Sequence, residues 1–433
     1  MKVKKIRPKE RDAIIKALRS GVVPNIGLQH IQVGRALEIK NLLQDIESVA
    51  DGGSSFRVVI GEYGSGKTFF MNLVRSMALE KKLVTAHADM SPERKLHSTN
   101  GQAQSLYREL MKNIATRAKP EGGALLSIIE KFISSALQQS KIKGISPEET
   151  IAQGLQKLTE HVGGYDFAEV VGAYWEGYEK GDENLKANAV RWLRGEFTTK
   201  TDSKAALGVR RYIDDASMYD QLKLLSLFVR LAGYAGLYVC LDELVNLYNI
   251  SNSISRKNNY EQLLRILNDC LQTNCEGLAF ILGGTPDFLL DTRRGLYSYE
   301  ALQSRLATNT FASSDYIDLS GPVINLSRLT PEDMLVLLER LRSVYAQGED
   351  INQILPDKAL PAFLSHCNNC IGDAYFRTPR NTIKAFLDML AILEQNPNVT
   401  WEMLVQDIEI SPDIPTCVES PIGTENELSS FRI

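Results

Sequence analysis

Apolar residues along the chain fall into two kinds of run. Short, mostly apolar ones, at Arg57–Ile60, Leu83–Ala88, Leu237–Leu241, Leu278–Leu282 and Val323–Leu326, have the length and composition of buried strands. Between them apolar positions recur every three to four residues, as at Phe69, Phe70, Leu73, Val74 and Met77, which is the period of an amphipathic helix. Helices are predicted at Glu10–Ser20, Arg35–Val49, Met334–Leu341, Leu360–Cys367 and Thr382–Leu393, and Ser91-Pro92 reads as a further helix start. Strands alternating with helices predict a parallel sheet with crossover connections. From about Ala103 to Ala235 the pattern is helical and polar, with interruptions at Pro120–Gly123, Gly163–Gly164 and Thr198–Ser203 and no compelling strand.

These elements divide the chain into an N-terminal helical lead-in (1–50), an α/β core (51–330) and a C-terminal helical domain (331–410). The stretch from Lys67 to Asp242 is longer than one strand, its crossover helix and their loops require, so a helical insertion at about 103–235 is expected inside the core. Residues 411–433, rich in Pro, Ser, Glu and Thr without periodicity, read as a loosely attached tail. There is no internal repeat.

Composition narrows the possibilities. With 433 residues, 44% hydrophobic and 24% charged, the chain is long enough to bury a large core and unlike a disordered one. Its net charge of -4 means that any nucleic-acid contact must come from a local patch. The basic start, MKVKKIRPKERDAIIKAL, carries no apolar segment, and no run of about 18 apolar residues occurs, so a cytoplasmic location without membrane contact is expected. Six cysteines are too sparse for a disulfide scaffold. His366-Cys367-Asn368-Asn369-Cys370 could supply zinc ligands, but no second pair stands at a matching spacing, since Cys270 and Cys275 belong to another segment; a helix end is the simpler reading.

Candidate chemistry starts where the first strand ends. Gly61-Glu62-Tyr63-Gly64-Ser65-Gly66-Lys67-Thr68 fits G-x-x-x-x-G-K-[ST] at every fixed position, between a strand and a helix that continues through Phe69. Glycines at these positions turn backbone N–H groups toward phosphate oxygens, and the helix N-terminus adds its dipole. Lys67 is then placed for the β- and γ-phosphates of ATP and the Thr68 hydroxyl for Mg²⁺. The strand Leu237–Leu241 ends in Asp242-Glu243, the form of a Walker B segment. A phosphate-bound Mg²⁺ needs a hard oxygen ligand, here Asp242, and the attacking water needs a base, here Glu243.

Together the two motifs give an α/β P-loop NTPase fold that resembles the AAA+ type, with a parallel sheet, a helical insertion and a C-terminal helical lid. The resemblance implies three more residues. Thr285, after the strand Leu278–Leu282, corresponds to sensor 1; Arg380, which starts the lid helix, to sensor 2, with Arg377 next in line; and Arg305 to a finger reaching a neighbouring subunit's ATP, with Arg293 and Arg294 as competitors. A homo-oligomer follows from that last role.

Several stretches together resemble one bacterial family, the BREX-system ATP-binding family of BrxC and BrxD. They include Gly21-Val22-Val23-Pro24, Ile31–Arg35, Arg57–Phe70, Ala88–Arg94, Leu106–Leu110, Tyr297–Leu306 and Phe376–Arg380, and the match runs from about residue 7 to 395, with a size most like BrxD. The resemblance implies an anti-phage defence role beside partners such as a helicase, association with DNA, and a place for Val33, Gly34 and Arg35 near the adenine. A DNA-associated motor or loader is expected, with a nucleotide-dependent switch or scaffold as the alternative. A small-molecule kinase fits less well, because it has no use for sensors, finger and lid.

Overall fold

The computed structural model describes residues 6–311, 316, 318–347 and 355–407, so the 411–433 segment lies outside the described residues. Five strands, β1 (Ser55–Ile60), β2 (Val84–Asp89), β3 (Leu237–Asp242), β4 (Leu278–Gly284) and β5 (Val323–Asn325), form one parallel sheet in the order β2-β3-β4-β1-β5. Each lies where the short apolar runs predict one. Because β4 intervenes between β1 and β3, the glycine-rich loop and the Asp-Glu pair leave the same edge of the sheet one strand apart.

Side chains alternate between the two faces of the sheet, and both faces are covered. Phe56, Val58, Ile60, Val239 and Phe280 pack into a large cluster with the helices of the insertion. Val59, Tyr238, Cys240, Ala279 and Ile281 pack against the helices Ala36–Ala50 and Lys67–Glu80. Arg57 is a charge within this second layer. Its guanidinium is satisfied by Asp45 at 2.5 Å, Asn41 at 3.0 Å and the Leu319 carbonyl at 2.9 Å, so one buried cation clamps β1 to the helix before it and to the segment leading into β5.

Seven helices between Gln102 and Leu231 fill the insertion, and no strand interrupts them among the described residues. The predicted interruptions fall close to the observed ones, except that the third ends early: Thr199 caps the helix Lys200–Leu207. Three further breaks occur: those at Gly144–Ser146 and Gly181–Asp182 are marked by a left-handed glycine followed by a side-chain cap, and the third, Gly208–Ser217, opens on a left-handed glycine alone. Ser91-Pro92 does not start a helix. Residues 91–94 form a turn instead, closed by Arg94 N–H to Ser91 O at 3.1 Å, and the next helix begins at Gln102. Its orphan N–H groups are capped from a distance by Asp215, which accepts from Gly101, Ala103 and Gln104 at 2.7–2.9 Å.

The two ends of the described chain meet. Ile14, Ile31 and Val33 share one apolar cluster with Met334, Leu341, Phe363 and Phe386. Arg19 pairs with Asp388 at 2.8 Å, and Arg11 donates to the Tyr345 carbonyl at 3.0 Å. In the same unit Cys367 is buried and Cys370 exposed, on the helix Ala359–Ile371, so the two thiols diverge. Cys270 and Cys275 are free thiols 3.6 Å apart, and no group of three or more metal-binding side chains occurs among the described residues.

Candidate nucleotide-binding site

The loop after β1 is shaped by what its glycines lack. Gly64 and Gly66 both have φ of +79°, a left-handed backbone that a side chain strains. A Cβ on Gly64 would stand 2.6 Å from the Arg377 carbonyl oxygen and one on Gly61 2.4 Å from Ser65 Oγ, so the cradle closes only with hydrogen at these positions. Lys67 folds back over the loop, donating to the carbonyls of Gly61 at 2.8 Å and Glu62 at 3.0 Å. Arg35 holds the loop from the other side: its guanidinium donates to the carbonyls of Ser65 and Ser327, and Glu62 pairs with Arg328. Ser65 Oγ is buried without a partner, an orphan donor inside the cradle.

Across the sheet edge, Asp242 is buried and engaged at both oxygens. Oδ2 accepts from Thr68 Oγ1 at 2.9 Å, and Oδ1 accepts from the Glu243 N–H at 2.8 Å. Gly283 on β4 makes room for it, because a Cβ there would lie 2.2 Å from Asp242 Oδ1. Glu243 has φ of +57°, uncommon for a residue with a side chain, and the strain is held by Leu244 N–H to Gly283 O at 3.0 Å and by Asn246, which bridges the carbonyls of Met90 and Glu243.

The carboxylates perturb one another. Burial raises the Glu243 pKa, the charges of Asp242 and Asp89 raise it further, and Lys67 opposes them. Asp89, paired in register with Asp242 across β2 and β3, is likewise raised by burial and by Asp242. Lys67 is lowered by burial, against the pull of Asp242 and Glu243. A carboxylate lifted toward neutrality, beside a fixed cation, is suited to taking a proton from water.

A cavity of about 450 Å³ opens above the loop. Tyr63–Phe69 and Glu243 form its floor; Leu18, Val22, Val23, Val33, Leu337 and Ile383 supply an apolar roof; and Arg35 and Arg380 line it as well. Gly34 stands just behind, against Asp333, and Asp242 lies below the floor. Thr285 caps the short helix Pro286–Leu290 at the tip of β4, accepting from Phe288 N–H at 3.4 Å, and is not part of the lining. Arg305 also lies outside it, exposed and donating to Asn268 Oδ1 and the Ala301 carbonyl, both at 2.8 Å. Arg293 and Arg294 are exposed, with Arg294 donating to the Tyr248 carbonyl at 3.2 Å.

Sequence reasoning did not single out Asp89, Asn246 or most of the roof. For Asp89 the signal was available, since it ends β2 as Asp242 ends β3. For the roof it was not, because its residues come from opposite ends of the chain and meet only through tertiary packing.

The cradle, its orphan hydroxyl and the Thr68–Asp242 pair fit a nucleoside triphosphate, and these two oxygens fit a magnesium ion. No helix among the described residues is long and apolar enough to cross a membrane. No curated protein matches the chain. A model of the family described as BREX system ATP-binding protein BrxC/D matches residues 6–409, without separating BrxC from BrxD. That span takes in both halves of the cavity, floor and roof, and the chain belongs to the BREX system ATP-binding protein BrxC/D family.

Proposed function

We propose that the protein is an AAA+-type ATPase that hydrolyses ATP at this cavity, within an oligomer that works on DNA beside other BREX defence proteins. The observation that carries the reading is the 2.9 Å bond between Thr68 and Asp242, which are 174 residues apart in sequence. It brings the hydroxyl that follows the P-loop lysine to the carboxylate that ends β3, as metal-assisted phosphoryl transfer requires.

The loop N–H groups and Lys67 bind and orient the β- and γ-phosphates, Lys67 exchanging its bonds to Gly61 O and Glu62 O for phosphate oxygens. Thr68 and Asp242 would hold Mg²⁺, which when bound offsets charge on the phosphate oxygens. Glu243 takes the proton of the attacking water. The apolar roof excludes solvent and receives the adenine, while Arg380 reaches the phosphates from the lid side. Thr285 sits at the tip of the strand between β1 and β3, which supports a sensor role. Arg305, exposed and outside its own cavity, supports a finger acting on a neighbour.

Two variants test the reading. Lys67→Ala should abolish tight ATP binding in calorimetry, and Glu243→Gln should bind ATP while turnover falls by about 10²-fold or more. Intact turnover in Glu243→Gln refutes the base. Acceleration of turnover by added DNA supports a motor, and its absence leaves the switch.

A further inference from the structure

A second cavity, of about 610 Å³, lies in the helical insertion, between the start of the helix Gly164–Lys180 and the segment Gly208–Arg211. Its lining includes His161, Tyr165, Asp166, Glu169, Arg210 and Arg211. The cations belong to a locally basic stretch of an acidic protein: residues 198–211 contain Lys200, Lys204, Arg210 and Arg211 against a single carboxylate, Asp202. Their backbone is fixed. Val209 and Ile213 are buried, and the Arg211 carbonyl accepts from the Trp192 indole at 2.8 Å and from Ser203 Oγ at 2.9 Å, so both arginine side chains start from a rigid, exposed edge. Tyr165, on the facing helix, is 66% exposed, an aromatic ring left in water at the mouth of a concave site.

We propose that this cavity binds one nucleotide unit of a single-stranded nucleic acid. Tyr165 stacks on the base, Arg210 and Arg211 neutralise the flanking phosphates, and Asp166 or Glu169 accepts from a base N–H. Asp166 is already 3.8 Å from Arg211, a loose pair in which the guanidinium is exposed and can turn to a phosphate while the carboxylate stays mostly buried in the wall. The concavity favours a splayed base over a duplex, whose bases are stacked inside the helix. The same chemistry would accept a free mononucleotide.

This inference rests on the nucleic-acid part of the proposed function, and the test separates the two. In a Lys67→Ala background, which silences the P-loop, a fluorescein-labelled mixed-sequence DNA oligomer is titrated by anisotropy, with unlabelled duplex and a mononucleotide as competitors. Arg210→Ala with Arg211→Ala should weaken oligomer binding about tenfold or more and lower the log–log salt slope by about one to two, and Tyr165→Ala should weaken it about fivefold or more. All three side chains are exposed, and an unchanged melting temperature checks the fold. Competition by the mononucleotide alone supports the cavity with free nucleotide as its source. Oligomer binding that the variants leave unchanged overturns the site while nucleic-acid association stands. No binding of either probe overturns both.

Discussion

The proposed nucleotide cavity has two halves built on different principles. Its floor is backbone and polar side chains on the rim of a parallel sheet, Tyr63–Phe69 after β1 and Glu243 after β3, resting on Asp242 at the end of β3 and Gly283 within β4. Its roof is branched apolar side chains from residues 18–33 and 337–383, joined by the cluster that unites the two ends of the described chain. The floor therefore tolerates almost no added atom, whereas the roof is a surface of apolar side chains with no comparably close contact to a reacting atom. Chemistry and phosphate binding should reside in the floor, and the adenine's share of affinity in the roof.

The largest effect expected concerns whether the floor is complete within one chain. Arg305 is held by Asn268 and Ala301 away from its own cavity, so a finger role requires a second subunit. An arginine supplied in trans is worth about 10³-fold or more in rate. Arg305→Ala and Lys67→Ala proteins, each inactive alone, should recover part of the activity when mixed, because some interfaces pair an intact loop with an intact arginine. No recovery, at concentrations where light scattering shows mixed oligomers, removes the trans role and moves attention to Arg293 and Arg294.

Next in size is a single methyl group in the floor. Gly283→Ala places a Cβ that would sit 2.2 Å from Asp242 Oδ1 and 2.7 Å from Met71 Sδ, so the carboxylate must move. A displacement on the order of 1 Å at a reacting centre can cost about 10²-fold, and turnover should fall by roughly that factor while ATP affinity changes far less. A variant that hydrolyses normally would show that Asp242 need not stand where it does.

The roof predicts the opposite division. Val23→Asp adds a charge to the apolar wall at a half-buried position. ATP affinity should weaken about tenfold, close to 1.4 kcal/mol, with kcat nearly unchanged at saturation. A fall in kcat with constant KM would contradict the division between floor and roof.

The same contrast governs what the sequence discloses. Strands β1 to β5 are legible because a strand buried on both faces is a mostly apolar run, and the floor is legible because a loop proposed to approach phosphate closely permits few residue types at fixed spacing. Asp215 is not legible as a helix cap, since it acts on N–H groups 111 to 114 positions away. Ser91-Pro92 misleads for a related reason: Met90 donates to the Asp242 carbonyl at 2.9 Å, and this cross-strand bond carries β2 onward into a turn. Leu18, Val23 and Ile383 look like ordinary core residues until tertiary contact makes them one wall.

The smallest effect tests how finely the floor is tuned. As the proposed base Glu243 works only when ionised, and its pKa is raised by burial, by Asp242 and by Asp89, so the acid limb of turnover should lie above the ordinary carboxylate range. Asp89 is the one contributor that can be altered without replacing the proposed metal ligand, since it ends the neighbouring strand β2. Asp89→Asn removes a negative charge beside Glu243, so ionisation becomes easier, the Glu243 pKa falls, and the acid limb moves to lower pH. At a pH above both acid limbs, turnover should be almost the same. The measurement is kcat against pH for the two proteins at saturating ATP and constant ionic strength. A limb that stays in place or moves upward would mean that Asp89 and Glu243 are not electrostatically coupled during turnover, and that the strand-end carboxylates act separately.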